Sequence, residues 1–279
     1  MGWVYLIFTV LSFAALAFFV KVGSQKKCDA TALIFSAFGV ASLFGLVLLF
    51  FKLDNLPPVS IIYGAIGGAG ASISFVFFTR ALSIGNYGFS SAILSASFVI
   101  QTVFSALFLN EAANYFGIAV IVAALFLMSY ASGNDKTVDK KNWWKWLGLV
   151  FMAFILNGFP VVFQLLSARV QNNNYFLYLF SNYFVGALIL LPVVLKNRNL
   201  KKEVLIYGGL AGLSSFSGVF LLLKTLENVP ANITFPVYFT LYNILSALLS
   251  VFFFKDRISK LGFAGILLGI SGIVILCLK

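Results

Sequence analysis

The chain contains no histidine, which excludes a histidine proton relay, a histidine metal site and any Ser-His or Cys-His nucleophile. Two cysteines, Cys28 and Cys277, are too few to hold zinc by themselves. The eight carboxylates are Asp29, Asp54, Glu111, Asp135, Asp139, Glu203, Glu227 and Asp256. All of them fall in the polar stretches between apolar runs. An intramembrane carboxylate is the usual means of binding a lipophilic cation or carrying a proton, and none is offered. No G-x-x-x-x-G-K-[ST] loop is present, which argues against drive by ATP. The expectation is a chain with no catalytic residue, no metal and no cofactor, and not an enzyme.

What the sequence does offer is hydrogen bonding by uncharged groups set within apolar runs. Asn157 and Gln164 are seven residues apart, two helical turns, and share nearly one face. Between them, Pro160 removes one backbone hydrogen bond and frees a carbonyl near the preceding turn. Two readings follow for Asn157-Gly-Phe-Pro160. One is a broken helix whose free backbone and amides meet a substrate. The other is an ordinary proline kink with its amides bonded to neighbouring helices. Tyr238 and Tyr242 stand at i and i+4, with Thr240 and Asn243 beside them, and Ser97 and Gln101 repeat that spacing. Rings beside a few hydroxyls and amides suit a small metabolite with both apolar and polar parts. Each tyrosine taken alone reads more readily as structural; the combined patch is the site candidate.

The elements that must carry these groups follow from composition. Of 279 residues, 61% are hydrophobic and 10% charged, against about 45–50% and 25% in soluble domains. Ten apolar runs alternate with short polar punctuation: Gly2–Val20, Ala30–Phe51, Ser60–Phe78, Phe89–Leu109, Tyr115–Ala131, Trp146–Ala168, Phe176–Leu195, Val204–Leu223, Pro236–Phe254 and Phe263–Leu278. Spans of about 20 residues suit a bilayer core. Helices satisfy every backbone group within the segment, and the runs lack the period-two alternation of barrel strands. The first run starts at Gly2 without a basic leader and reads as a first transmembrane helix. A net charge of +11 raises the question of nucleic acid, but the basic residues sit between the runs as anchors and form no single stripe. The expected partners are the lipid bilayer and a small-molecule substrate, with no nucleic acid.

The two halves resemble each other. At an offset of 145, Gly64 pairs with Gly209, Ser72 with Ser217, Ser105 with Ser250, Glu111 with Asp256 and Gly117 with Gly262. With one gap, Arg80-Ala-Leu82 falls on Lys224-Thr-Leu226. The expected organisation is a five-helix repeat at 1–131, a linker at 132–145 and a second five-helix repeat at 146–279. An odd number of spans in each makes the second repeat enter the membrane inverted, a transporter architecture with its site near the midplane. Loops after the odd-numbered spans hold fifteen Lys and Arg residues, against four on the other side: Lys52, Arg169, Lys224 and Lys279. The positive-inside bias then puts the linker in the cytoplasm and both termini outside. Trp143, Trp144 and Trp146 beside Lys140 and Lys141 fit a cytoplasmic aromatic anchor.

Two stretches, FFTRALSIGNYGFSSAIL and LLLKTLENVPANITFPVY, and two acidic turns, LFLNEAANYFG and FFFKDRISKLG, carry a resemblance to the drug/metabolite transporter superfamily. The chain is similar to its ten-helix EamA-type permeases over essentially its whole length. The proline common in the fourth helix of each repeat is missing near Phe98 and Asn243, and so is the Trp-Gly pair of the first helix. The resemblance implies that spans one, three, four, six, eight and nine surround a central cavity, with the other four peripheral. It makes the polar residues of the first set the substrate-binding candidates: Ser72, Ser97, Gln101, Asn157, Gln164, Ser217, Tyr238, Tyr242 and Asn243.

Arg80 and Lys224 end spans, where basic side chains ordinarily snorkel to the headgroups; their match across the repeat makes them candidates for attracting a carboxylate or phosphate at either mouth. Glu111 and Asp256 read as turn residues near the starts of spans five and ten, stabilised by the helix dipole. The pairs Gly64/Gly68 and Gly265/Gly269 allow close helix approach, the second also as a self-association face, so a monomer or weak homodimer is expected. Asn232-Ile-Thr234 matches the short glycosylation pattern, in a loop close to the membrane. The resulting expectation is a secondary transporter of a small neutral or zwitterionic metabolite such as an amino acid, in a bacterial cytoplasmic membrane. The alternatives are a non-transporting accessory subunit, or a permease for an anionic or nucleotide/sugar-type metabolite.

Overall fold

The computed structural model describes residues 1–52, 56–84, 87–131, 142–197, 201–255 and 259–277. Asp54, Asp135, Asp139, Lys140, Lys141, Asp256 and Lys279, and positions 132–141 of the expected linker, lie outside the described residues. In chain order the helices are α1 (Gly2–Gln25), α2 (Ala30–Leu49), α3 (Pro58–Ile84), α4 (Tyr87–Ser95), α5 (Phe98–Phe108), α6 (Tyr115–Ala131), α7 (Trp143–Arg169), α8 (Tyr175–Asn197), α9 (Lys202–Leu226), α10 (Ala231–Phe254) and α11 (Lys260–Cys277). Nine helical runs among the described residues are long and apolar enough to cross a membrane, with Ser90–Phe108 counted as one, and Tyr115–Met128 is a shorter tenth. The chain is an all-α polytopic membrane protein. Its outward surface is apolar, with Leu43 63% and Phe252 81% exposed, as suits contact with lipid and not with water.

Local signals set several helix ends. Asp29 Oδ1 accepts from the Ala32 backbone N–H at 2.9 Å and caps α2. Pro58 opens α3, where its missing N–H costs nothing. Lys255, at φ 58°, closes α10 in the left-handed conformation.

The interruption expected in the sixth span lies elsewhere. α7 runs unbroken through Pro160, which membrane helices tolerate where neighbouring groups can re-satisfy a freed carbonyl. The fourth span is the one that breaks. Between α4 and α5, Ser97 N–H donates to Leu94 O at 3.1 Å and Ile100 N–H to Ser97 O at 3.0 Å. That is the three-residue spacing of a tightened turn, formed with no proline or glycine in residues 94–100.

Packing divides the chain into two compact units. The first comprises Met1–Ile73 and Phe159–Val229, and the second Ser74–Gly158 and Pro230–Lys279. Each unit draws spans from both expected repeats, so the halves at 1–131 and 146–279 describe sequence order while packing follows another division.

The first unit is cored by Tyr178, Leu179, Tyr183, Phe216 and Leu223. The Tyr183 hydroxyl shares a hydrogen bond with Ser215 Oγ at 2.8 Å, so its buried polar tip is satisfied. Helix backbones meet at glycines. A Cβ on Gly64 would lie 2.3 Å from Tyr178 O, and one on Gly212 would lie 2.2 Å from Ala37 O. α3 therefore rests on α8, and α9 on α2, at distances only glycine permits.

In the second unit, α6 and α11 approach in the same way, a Cβ on Gly265 falling 2.7 Å from Met128 N. Gly265 is thus engaged within the chain. Glu111 precedes α6 but serves another helix. Its Oε2 accepts from Ala231 N at 3.1 Å and Asn232 N at 3.3 Å, capping the N-terminus of α10. The Asn232 amide donates to Glu111 O at 3.0 Å and Ala112 O at 3.2 Å, and Ser105 Oγ donates to its Oδ1. Asn232 is 2% exposed and its amide is committed to this knot, so it is no glycan acceptor. The dipole stabilising Glu111 is that of α10, reached across 120 residues of sequence. Glu111→Ala is expected to cost about 1–3 kcal/mol, since two helix N–H groups lose a charged acceptor. Glu111→Gln, which keeps an acceptor, should cost less. Thermal unfolding in detergent measures both; an alanine variant as stable as wild type would contradict the cap.

Candidate functional site

The second unit brings several of the expected residues together. The break in the fourth span presents Ser97 to α7, where Asn157 Nδ2 donates to Ser97 Oγ at 2.7 Å. One turn further along α5, Gln101 is fully buried, and neither Nε2 nor Oε1 has a hydrogen-bond partner among the described residues. Leaving such a group unpaired costs about 1–3 kcal/mol. Buried polar groups are rarely left so, and an exception demands an explanation.

α10 supplies the aromatic part. The rings of Tyr238 and Tyr242 stack with centroids 6.2 Å apart, and Phe239 lies 4.4 Å from Tyr238. Phe98, the residue after Ser97, packs against Phe239 at 5.8 Å. That contact joins the Ser97–Gln101 segment to the tyrosines. Asn243 turns its amide back to donate to Phe239 O at 2.7 Å, and the Thr240 hydroxyl donates to Pro236 O at 2.8 Å. Arg80 is exposed near the end of α3, where its carbonyl accepts from Ser83 Oγ at 2.7 Å.

The remaining candidates lie in the first unit. Gln164 is 7% exposed, and its Oε1 has no partner among the described residues. The same holds for Tyr178 OH and Asn182 Oδ1. A Cβ on Gly67 would lie 3.0 Å from Asn182 Oδ1, 3.2 Å from Tyr178 OH and 3.6 Å from Pro160 Cα. Gly67 therefore keeps space open before two buried oxygens beside the proline. Sequence reasoning passed over Tyr178 and Asn182, although they have the same i, i+4 spacing as Ser97 and Gln101, because resemblance made their span peripheral. Ser72 Oγ donates to Gly186 O at 3.0 Å and fastens α3 to α8. Its counterpart Ser217 is exposed and donates to Leu213 O at 2.9 Å within its own helix. Lys224 Nζ donates to Glu227 Oε1 at 2.7 Å.

The assembled groups are uncharged amides, hydroxyls and aromatic rings in apolar walls. Such groups suit the binding and orientation of a small solute with polar and apolar parts. Among the described residues, no group of three or more His, Cys, Asp or Glu is placed to hold a metal ion.

Residues 143–278 match the EamA-like transporter family. A solved crystal structure of another protein superposes with a TM-score of 0.77 at 14% sequence identity, covering 99% of this chain and 96% of the other. At that identity the likeness establishes the fold alone. No curated protein matches the chain.

Proposed function

We propose that this chain, whose residues 143–278 match the EamA-like transporter family, is a membrane transporter that moves a small neutral or zwitterionic metabolite, an amino acid or similar compound, by alternating access. The observation that carries this reading is Gln101, fully buried with neither amide atom paired among the described residues, one turn from the Ser97–Asn157 hydrogen bond. A solute that supplies one donor and one acceptor would satisfy that amide, and no charge is needed on either side. Substrate polar groups take the place of the missing hydrogen bonds, and the tyrosine pair supports an apolar side chain. The two sequence repeats, entering the membrane in opposite senses, would be the elements that exchange inward and outward access. The charge bias supports termini outside and the linker inside a cell membrane.

Substitutions test the reading. Asn157→Ala, Gln164→Ala and Tyr242→Phe should each lower uptake into proteoliposomes by about tenfold or more, because a site built to hydrogen-bond its solute suffers when one group is lost. Stability should change little, since polar contacts between membrane helices average about 0.6 kcal/mol. Phe263→Ala, on the exposed face of α11, should transport as wild type does. Unimpaired uptake by all three polar variants would contradict the assignment.

A further inference from the structure

The contact between α3 and α8 satisfies its buried serines directly. Ser72 Oγ donates to Gly186 O at 3.0 Å and Ser181 Oγ to Ile61 O at 2.8 Å. Three other oxygens of the first unit, where α3, α7 and α8 come together, stand in contrast. Tyr178 is fully buried, Asn182 is 5% exposed and Gln164 7%. Tyr178 OH, Asn182 Oδ1 and Gln164 Oε1 have no hydrogen-bond partner among the described residues.

Two of these oxygens face one spot. The point where Gly67 would carry a Cβ lies 3.0 Å from Asn182 Oδ1 and 3.2 Å from Tyr178 OH, so the glycine leaves room before both. Pro160 Cα on α7 is 3.6 Å from the same point. Gln164 follows Pro160 by four residues, and positions i and i+4 share a helix face, which places Gln164 on the turn beside this spot. One turn before Gly67, Tyr63 packs on Phe163 with centroids 5.4 Å apart and ties α3 to α7 there.

The chemistry of the three groups narrows what they can hold. The two amide oxygens accept and cannot donate, so each calls for a donor or a cation. Buried acceptors are seldom left without one. No Asp or Glu occurs anywhere in α3, α7 or α8. Divalent ions are held largely by carboxylates, which makes them a poor match. Uncharged oxygens that take the place of a hydration shell suit an alkali cation, and membrane transporters use such oxygens for sodium.

We propose that the junction of α3, α7 and α8 binds a sodium ion through Tyr178 OH, Asn182 Oδ1 and Gln164 Oε1, with Gly67 keeping the space before them. Gln164 then enters uptake through the ion it holds. The site lies wholly within the first unit, apart from the patch around Gln101. Its test measures binding with no solute gradient, so it and the transport reading can fail separately.

Thermal unfolding of the purified full-length chain in neutral detergent is compared in sodium, potassium and choline chloride at one ionic strength, which holds general screening constant. Sodium should raise Tm over choline by about 2 °C or more and in a saturable way, because an ion held only by the folded state stabilises it. Potassium, being larger, should raise it less. Tyr178→Phe keeps the ring and removes one ligand, and should lose most of the sodium increment. Gly67→Ala, whose methyl group stands before both oxygens, should lose it as well. Ser214→Ala, which removes a hydroxyl bonded within α9, should keep it. Equal Tm in sodium and choline, or in sodium and potassium, overturns the site. So does a Tyr178→Phe variant that melts cooperatively and keeps the wild-type sodium increment. If Tyr178→Phe fails to melt cooperatively, Gly67→Ala decides by the same criterion.

Discussion

Gly68→Ala is expected to cost the first unit more than about 3 kcal/mol, beyond the usual range for overpacking. The added Cβ would lie 1.9 Å from Asn182 O, 2.8 Å from its carbonyl carbon and 3.0 Å from its Cα. All three atoms are backbone, so no rotamer change relieves the clash. α3 and α8 would have to separate, and α8 carries Tyr178, Leu179 and Tyr183 of the core. Every contact in that core would loosen together, because packed interiors yield little. Gly148→Ala is the control, with nothing within 4 Å of the new atom. Thermal unfolding in detergent should show Gly68→Ala melting far below wild type and Gly148→Ala beside it. A Gly68→Ala variant with the wild-type melting curve would refute the close α3–α8 contact.

Gln101→Met should stabilise the protein and disable it. Methionine is near in length and volume, so packing around α5 is kept. The two unpartnered amide atoms disappear with their desolvation cost, a gain of about 1–3 kcal/mol. Transport should nonetheless fall by about a hundredfold, because the groups that met the solute are gone. Opposite signs for stability and activity mark a group held in strain for function. A variant that melts lower than wild type would show that the amide has a partner of its own. A variant that transports normally would remove Gln101 from the site.

The helices were legible in the sequence because the bilayer leaves the chain so little choice. Apolar runs of spanning length fix the count and the type of element, and Gly64 and Gly68 announced a close helix contact by their spacing alone. The break at Ser97 was not legible. No proline or glycine marks it, and the Ser97 hydroxyl finds its partner, Asn157, sixty residues away. Pro160 misled in the opposite direction, since its local effect was absorbed by a helix that continues through it. Glu111 read as a turn residue stabilised by the dipole of the span that follows it, yet its partners at Ala231 and Asn232 come from the other half of the chain. The candidate site divides along the same line. The tyrosine pair and the Ser97–Gln101 spacing were visible as local periodicity. That Gln101 finds no hydrogen-bond partner among the described residues is a property of tertiary structure that no local pattern encodes.

Counterflow by the purified wild-type protein in sealed liposomes tests the transport reading most directly. Vesicles are loaded with one unlabelled neutral amino acid at a time, and the labelled compound is added outside. At least one of them is expected to accumulate above the level in protein-free vesicles and in vesicles carrying Gln101→Met. Failure of every neutral and zwitterionic metabolite to exchange, with the protein folded by its melting curve, would contradict it.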